Sequence, residues 1–400
     1  MNKISSRMLA TKPSANSAVS GRARVLKAEG RDIISLAIGE PDFDTPAHII
    51  EAANKAMAEG KTRYTNVDGT AELKAAIQRK FKVENGLDFA SDQIVVSTGA
   101  KQVIFNVLLA TVDPGDEVII PAPYWVSYPE MTRIADGTPV IVNGAAENGF
   151  KVTAQALEAA ITDKSRWLIL NSPCNPSGAV YTADELSGLA DVLLKYPQVG
   201  ILSDDIYEHI IFGGQKFTSI IAVEPKLAER TVAVNGVSKA YCMTGWRLGY
   251  GGGPADIMRE VRKLQSQSTS CASSISQAGA LAALEGPQDC LVTNREAFCR
   301  RRDLLMPLLA EAGLSCRKPD GAFYVLAGCS DFLGTKSPAG VAVETDVDLA
   351  KVILEEAGVA TVPGTAFGAP GFLRLSYAVD DEMLKQAVAR IAGLCRSLTR

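Results

Sequence analysis

Residues 94–101 read Ile94-Val95-Val96-Ser97-Thr98-Gly99-Ala100-Lys101. Three β-branched residues run into a polar, glycine-bearing turn. Apolar residues then recur at Val103, Phe105 and Leu109. That order reads as a buried strand, a turn and a helix. It repeats downstream. Val118-Ile119-Ile120 follows the turn Asp113-Pro114-Gly115-Asp116. Val140 to Val142, Trp167 to Leu170, Gly200 to Leu202 and Val232 to Val234 are further short, nearly fully apolar runs. Such runs separated by helices predict an α/β fold with a mostly parallel central sheet flanked by helices. Ligands of these sheets bind outside the carboxyl ends of the strands. The residues just after each run are therefore where chemistry is expected.

Upstream, Val19, Ala23 and Leu26 mark a helix that stops at Gly30. Asn16 suits its N-cap, since Asn caps well. The apolar run Ile33 to Ile38 breaks at Gly39-Glu40-Pro41-Asp42. A helix is expected from Glu72 to Lys82. Beyond about Asn294 the texture changes to a smaller α+β unit. Arg300-Arg301-Arg302 opens a helix there, and Ala322 to Leu326 and Phe372 to Tyr377 read as strands. The expected division is an arm and part of the small domain over residues 1–45, a large domain over 46–295 and a small domain over 296–400.

The chain has 400 residues, 47% hydrophobic and 22% charged, ordinary values for a soluble enzyme. Forty-one basic against 45 acidic residues leave a net charge of −4, which disfavours nucleic acid as a partner. No apolar run is long enough to span a membrane. Only two histidines occur, His48 and His209, so a three-histidine metal centre is excluded and no metal is expected. His209 reads as core or support on a strand continuing past Tyr207. The eight cysteines form no C-x-x-C pair, which fits scattered thiols in a reducing, cytoplasmic compartment. The basic, acid-free stretch before Glu29 has the flavour of a transit peptide but reads better as an N-terminal arm.

Polar residues gather after the strands. Ser97 to Lys101, at a helix start, suits a phosphate. Asn171-Ser172-Pro173-Cys174-Asn175-Pro176-Ser177-Gly178 is a rigid loop in which one or both X-Pro bonds are candidates for cis. Asp204 and Tyr207 follow the next strand, and an acid at a buried strand end needs a partner. Lys239 leaves the strand after that. Alone it is either a snorkelling lysine or a desolvated, nucleophilic amine. Arg247 comes eight residues on. Together these residues supply what a pyridine aldehyde phosphate requires: a Schiff-base lysine, an acid for the ring nitrogen and cations for the phosphate.

On these motifs, with Gly39 to Phe43, Pro123 to Tyr128, Thr244-Gly245-Trp246-Arg247 and Phe372 to Tyr377, the sequence resembles a known family. It is the fold-type-I, pyridoxal-5′-phosphate-dependent class I aminotransferases, in particular bacterial aspartate aminotransferases of the Thermus/Rhizobium type. The resemblance runs from about Lys12 to the C-terminus. It implies that Lys239 binds the cofactor and shuttles the proton between Cα and C4′. Asp204 would keep the pyridine nitrogen protonated. Tyr207 and Asn175 would hold the phenolic oxygen, Trp125 would stack on the ring, and Gly99, Ala100 and Arg247 would hold the phosphate. Tyr64 would reach the phosphate of a neighbouring subunit, making a homodimer with shared sites. Arg374, helped by Gly39, would grip the substrate α-carboxylate, and Lys101 would meet a distal carboxylate.

Two positions depart from the family pattern. Gly236 replaces a serine that contacts phosphate in some relatives, so that contact must come from backbone. Asn16 stands where a threonine is common, and either caps its helix or alters side-chain specificity. The resemblance implies ping-pong transamination of an L-amino acid, aspartate or glutamate foremost, with a 2-oxo acid such as 2-oxoglutarate or oxaloacetate. Alternatives are an aromatic, prephenate/arogenate or other amino acid aminotransferase, and more distantly a lyase or decarboxylase of the same fold. A regulator carrying an added DNA-binding domain lacks room before the first strand near Ile33.

Overall fold

The computed structural model describes residues 3–400. Seven strands form the large sheet: β1 Ile94–Ser97, β2 Glu117–Ala122, β3 Thr138–Asn143, β4 Ser165–Asn171, β5 Gly200–Asp204, β6 Thr231–Gly236 and β7 Gly249–Gly252. Their spatial order is β1-β7-β6-β5-β4-β2-β3. All neighbours from β6 to β3 pair in parallel. The exception is β7, antiparallel to both β6 and β1. The predicted mostly parallel sheet is thus present, and residues alternate between two cores. Ile94, Val96, Ile119, Leu168 and Ile201 face one helical layer. Val95, Val118, Ile120, Trp167 and Leu202 face the other. Burial on both faces is why the strands read as unbroken apolar runs.

A second unit has an antiparallel sheet ordered Val362–Pro363, Phe372–Ser376, Tyr324–Gly328, Ser315–Cys316. Its core runs from Phe298 to Cys395 and takes in Ile34 and Leu36. The pair Ile34–Ser35 lies parallel to Val359–Ala360 and joins the N-terminal run to this unit.

Three local expectations are corrected. The first long helix spans Ala15–Ala28, with Ser14 in the cap position, so Asn16 lies inside the first turn and does not cap it. The helix expected to Lys82 is α-helical only over Ala71–Lys80 and continues as a π turn over Phe81–Asn85. His209 lies in a turn after β5, not on a continuing strand. Within the Asn171 to Gly178 loop, Ser172–Pro173 is the cis bond.

That π turn has a visible use. It carries Asn85 inward to Glu208 beside Lys80, the last residue of the α-helix, and all three are buried. Glu208 takes hydrogen bonds from Lys80, from Asn85 Nδ2 at 2.6 Å and from Asn235 Nδ2 on β6 at 2.8 Å. His209 Nε2 stands 3.3 Å from Glu208 and from Glu84. Burial pushes the Glu208 carboxyl up, but Lys80 and His209 outweigh it and hold it below its ordinary value. Removing one partner of a buried pair costs about 3–5 kcal/mol. Lys80→Met is therefore expected to lower the urea unfolding midpoint clearly. Lys82→Met breaks an exposed pair with Asp88. Such a pair contributes about 0–1 kcal/mol, so this variant should stay near wild type. Equal midpoints for the two variants would refute the buried brace.

Candidate active site

A cavity of about 300 Å³ opens at the carboxyl edge of the large sheet. Ala100 and Lys101 after β1, Asn171 at the end of β4, Asp204 at the end of β5, and Ser238 and Lys239 after β6 all line it. The switch-point rule for α/β sheets is met. Gly39, Trp125, Tyr207, Asn175, Arg247, Arg374 and Asn16 line the same cavity.

The phosphate end is built from close approaches. Gly99 has φ +87°, and a Cβ there would stand 2.5 Å from Arg247 Nη2. A Cβ on Gly249 of β7 would stand 2.0 Å from the Ala100 nitrogen. Only glycine lets β7 run beneath the helix Ala100–Thr111 and leave its N-terminal N–H groups open. Arg247 itself sits in the left-handed region, φ 54°, which is costly for a side-chain-bearing residue.

Asp204 is buried and accepts a hydrogen bond from Tyr128 Oη at 2.6 Å. Desolvation raises it to about 6, while Tyr128, the Ile206 N–H and Lys239 pull the other way. Asp205, the other candidate acid, does not line the cavity and takes its bond from Ser203 Oγ at 2.6 Å. Asn171 Nδ2 donates to the Asp204 carbonyl at 2.9 Å and Asn171 Oδ1 accepts from the Asn175 N–H at 2.9 Å, which fixes the loop beside the acid.

Lys239 Nζ donates to the Gly39 carbonyl at 2.6 Å. Burial lowers the amine to about 8. Arg247 and Arg374 add to that, and Glu40 and Asp204 oppose it. Arg374 is fully buried and makes no ion pair among the described residues. Its Nη1 donates to Asn175 Oδ1 at 3.2 Å and its Nη2 to the Ala37 carbonyl at 2.6 Å, while Nε is buried without a partner. Tyr324 and Phe367 cover it, with rings 4.6 and 4.9 Å from Cζ. A buried guanidinium in this setting calls for an anion. Lys101 Nζ stands 4.6 Å over the Trp125 ring. Desolvation first, then the Arg247 charge, lowers its pKa. Asn16 Oδ1 is buried and unpartnered. Four cations (Lys101, Lys239, Arg247, Arg374) against two acids (Asp204, Glu40) suit a ligand with several anionic groups.

Tyr64 is not brought to this cavity. It is 91% exposed and lines a separate groove with Lys61 and Gln277. Sequence reading passed over Tyr128, Asn171 and Tyr324, although all three lie in or beside quoted motifs. Tyr128 follows Trp125 by three residues at the start of the helix Ser127–Ile134, a spacing that places both on one side.

The glycine cradle, the buried acid, the depressed lysine and the unpaired arginine fit pyridoxal phosphate and an amino-acid carboxylate. They define a pyridoxal-phosphate-dependent transferase. Residues 31–391 match the aminotransferase class I and II family, and the chain belongs to it. It is 53% identical to the aspartate/prephenate aminotransferase of Cereibacter sphaeroides, over 99% of each chain. Among solved structures it superposes on the aspartate aminotransferase of Rhizobium meliloti with a TM-score of 0.96, at 50% identity and full coverage of both chains. The Thermus thermophilus aspartate aminotransferase with maleate follows at 0.92 and 43% identity, covering 98% of this chain and 100% of that one. The protein is an aminotransferase that uses pyridoxal 5′-phosphate.

A buried amine at about 8 reacts with an aldehyde at lower pH than an ordinary lysine. In cofactor-stripped enzyme the neutral fraction grows as pH rises through that value. The rate of pyridoxal-phosphate incorporation, trapped by borohydride, should therefore show a midpoint near about 8 that is absent in Lys239→Ala. A midpoint at the ordinary lysine value, or an adduct mapped to another lysine, would refute the assignment.

Proposed function

We propose that the enzyme transfers the amino group of a dicarboxylic L-amino acid, aspartate or glutamate, to a 2-oxo acid such as 2-oxoglutarate or oxaloacetate in two half-reactions. The observation that carries this reading is the second cation. Lys101 stands in the cavity apart from Arg374, without a carboxylate partner among the described residues, held over Trp125. Arg374 takes the α-carboxylate with the Gly39 backbone, and Lys101, with the Asn16 amide, takes the distal one.

When bound, pyridoxal phosphate supplies an aldehyde for the amino group and a ring that accepts the electron pair left at Cα. Lys239 would anchor it, and its Nζ would take the Cα proton. Asp204, held by Tyr128, would keep a proton on the pyridine nitrogen. Tyr207 Oη and Asn175 Nδ2 would bind the phenolic oxygen. The Ala100 and Gly99 backbone and the Arg247 guanidinium would hold the phosphate, with backbone standing in at Gly236. Trp125 would cover one ring face and exclude water. Tyr64 points away from its own site and would serve the phosphate of a partner subunit, so we read the enzyme as a homodimer with shared sites. The cores on both faces of the large sheet and the separate core of the smaller unit support a large domain over residues 46–295, a small domain over 296–400, and an arm and part of the small domain over 1–45. The free thiols suit the cytoplasm, and among the described residues no helix is long and apolar enough to cross a membrane.

A second reading, an aromatic or prephenate donor or acceptor, is favoured by Trp125, whose face gives apolar area once Lys101 moves off it. A half-reaction screen separates the two. Each amino acid is mixed with enzyme and the cofactor absorption is followed. Lys101→Ala is expected to lower kcat/KM for aspartate and glutamate by about 30- to 1000-fold, the worth of a water-poor ion pair. Phenylalanine should change little. Equal losses across acidic and neutral donors would remove Lys101 from the distal site.

Arg374→Lys should lower kcat/KM for every donor, because an ammonium cannot reproduce a planar fork. Losing one charge-assisted bond costs about 1.5–3 kcal/mol, or about 10- to 150-fold. An unchanged kcat/KM would place the carboxylate clamp elsewhere.

A further inference from the structure

Tyr324 touches three parts of the site at once. It is fully buried on the strand Tyr324–Gly328 yet lines the cavity. Its hydroxyl lies 2.9 Å from Tyr207 Oη. Its ring lies 4.6 Å from Arg374 Cζ. A Cβ on Gly39 would stand 2.6 Å from its hydroxyl, so the loop that accepts from Lys239 is shaped around this phenol.

We propose that Tyr324 is a positioning residue that couples occupancy of Arg374 to the hydrogen bond Tyr207 gives the cofactor. The inference rests on the reading above, in which Arg374 binds the α-carboxylate and Tyr207 the phenolic oxygen. A phenol has one proton. With the Tyr207 proton committed to the cofactor, Tyr324 is the donor between the two hydroxyls. A bond donated into Tyr207 polarises it and strengthens the bond it gives onward. Burial makes Tyr324 a weaker acid, and the Arg374 charge opposes that. A carboxylate on Arg374 cancels its charge. Tyr324 then donates less strongly, and so does Tyr207. The weaker bond from Tyr207 would leave more negative charge on its acceptor, and the proton would then be held more tightly at Lys239 Nζ. Substrate binding thereby favours the protonated nitrogen, the form an incoming amine attacks.

Tyr324→Phe isolates this route. It removes the hydroxyl and keeps the ring under Arg374. Glu40, Arg247, Arg374 and Asp204, the charges facing Lys239, stay in place, as does Glu40 toward position 324. The absorption of the Lys239-bound cofactor is titrated in wild type, Tyr324→Phe, Tyr207→Phe and the double variant, with and without maleate. Without maleate, Tyr324→Phe should raise the apparent pKa by about 0.1–0.7 unit, the share by which one hydrogen bond strengthens the next. Maleate should raise the apparent pKa of the wild type, and that rise should be smaller in Tyr324→Phe. In the Tyr207→Phe background, Tyr324→Phe should add nothing. Gly39→Ala, which presses on the same hydroxyl from the loop, should shift the titration in the same direction and tests the route if Tyr324→Phe does not retain cofactor. A Tyr324→Phe titration matching wild type in both conditions, or a full extra shift on top of Tyr207→Phe, would overturn the coupling. If the wild type itself gives no Lys239-bound absorption or no response to maleate, it is the underlying reading that fails.

Discussion

The Arg374 guanidinium is fully buried with no carboxylate beside it. A buried charge is costly unless it is paired and hydrogen-bonded. Here the cost is met in part by the Ala37 carbonyl, the Asn175 amide oxygen and two aromatic faces. Those partners come from the N-terminal segment, the loop after β4 and the smaller unit. One unsatisfied cation therefore organises three separate stretches of chain around a place for an anion. The remaining deficit is what the proposed carboxylate ligand would relieve, so that binding strength and local architecture would share one cause.

Burial shifts the other groups in the same cavity. It raises Asp204 and lowers Lys239, moving acid and base toward each other. Both moves favour neutral forms and prepare a site that gains from charged contacts. In the proposed reading, a protonated pyridine nitrogen would restore the charge on Asp204, and an aldehyde would use the neutral amine. The polar shell beyond them holds the geometry. Tyr128 orients Asp204, and Glu208 ties the π turn to Asn235 on the strand that leads to Lys239.

Most of the sheet was legible in the sequence because strands buried on both faces must be apolar throughout. β7 was not, since Gly249-Tyr250-Gly251-Gly252 carries no β-branched run. Its glycines answer to tertiary crowding by Ala100, Val103 and Phe89, which no local pattern reports. Lys239, Asp204 and Asn175 were findable because each lies at or just after the carboxyl end of a strand of the large sheet, whereas Arg374, on a strand of the smaller unit, was singled out only through the family resemblance. Tyr324 looked like one more core aromatic in an apolar strand, and only its hydroxyl's partner separates it from Phe323. The cap was placed two residues too late at Asn16, because Ser14 and Asn16 are both acceptable caps and local sequence does not choose between them.

The loop from Gly39 to Thr45 explains how two units make one site. Arg301 of the smaller unit holds Asp42 through two bonds of 2.6 and 2.8 Å, and stacks on Phe43. The larger unit holds the same loop elsewhere. Thr244 Oγ1 donates to Glu40 at 2.8 Å, and Thr45 Oγ1 donates to the Cys242 carbonyl at 2.7 Å. Between these anchors the Gly39 carbonyl receives Lys239. The anchors differ in kind. The Arg301 pair is largely buried and bidentate, whereas the Glu40 contact is a single exposed hydrogen bond. Exposed single contacts are worth little and exchange readily with water, while a desolvated fork does not. The loop is held on both sides, by the Arg301 fork from the smaller unit and by the Thr244, Thr45 and Lys239 hydrogen bonds from the larger one. Any relative movement of the two units would have to strain one set of these anchors, so the loop keeps the smaller unit's Arg374 and the larger unit's Lys239 in register across one cavity.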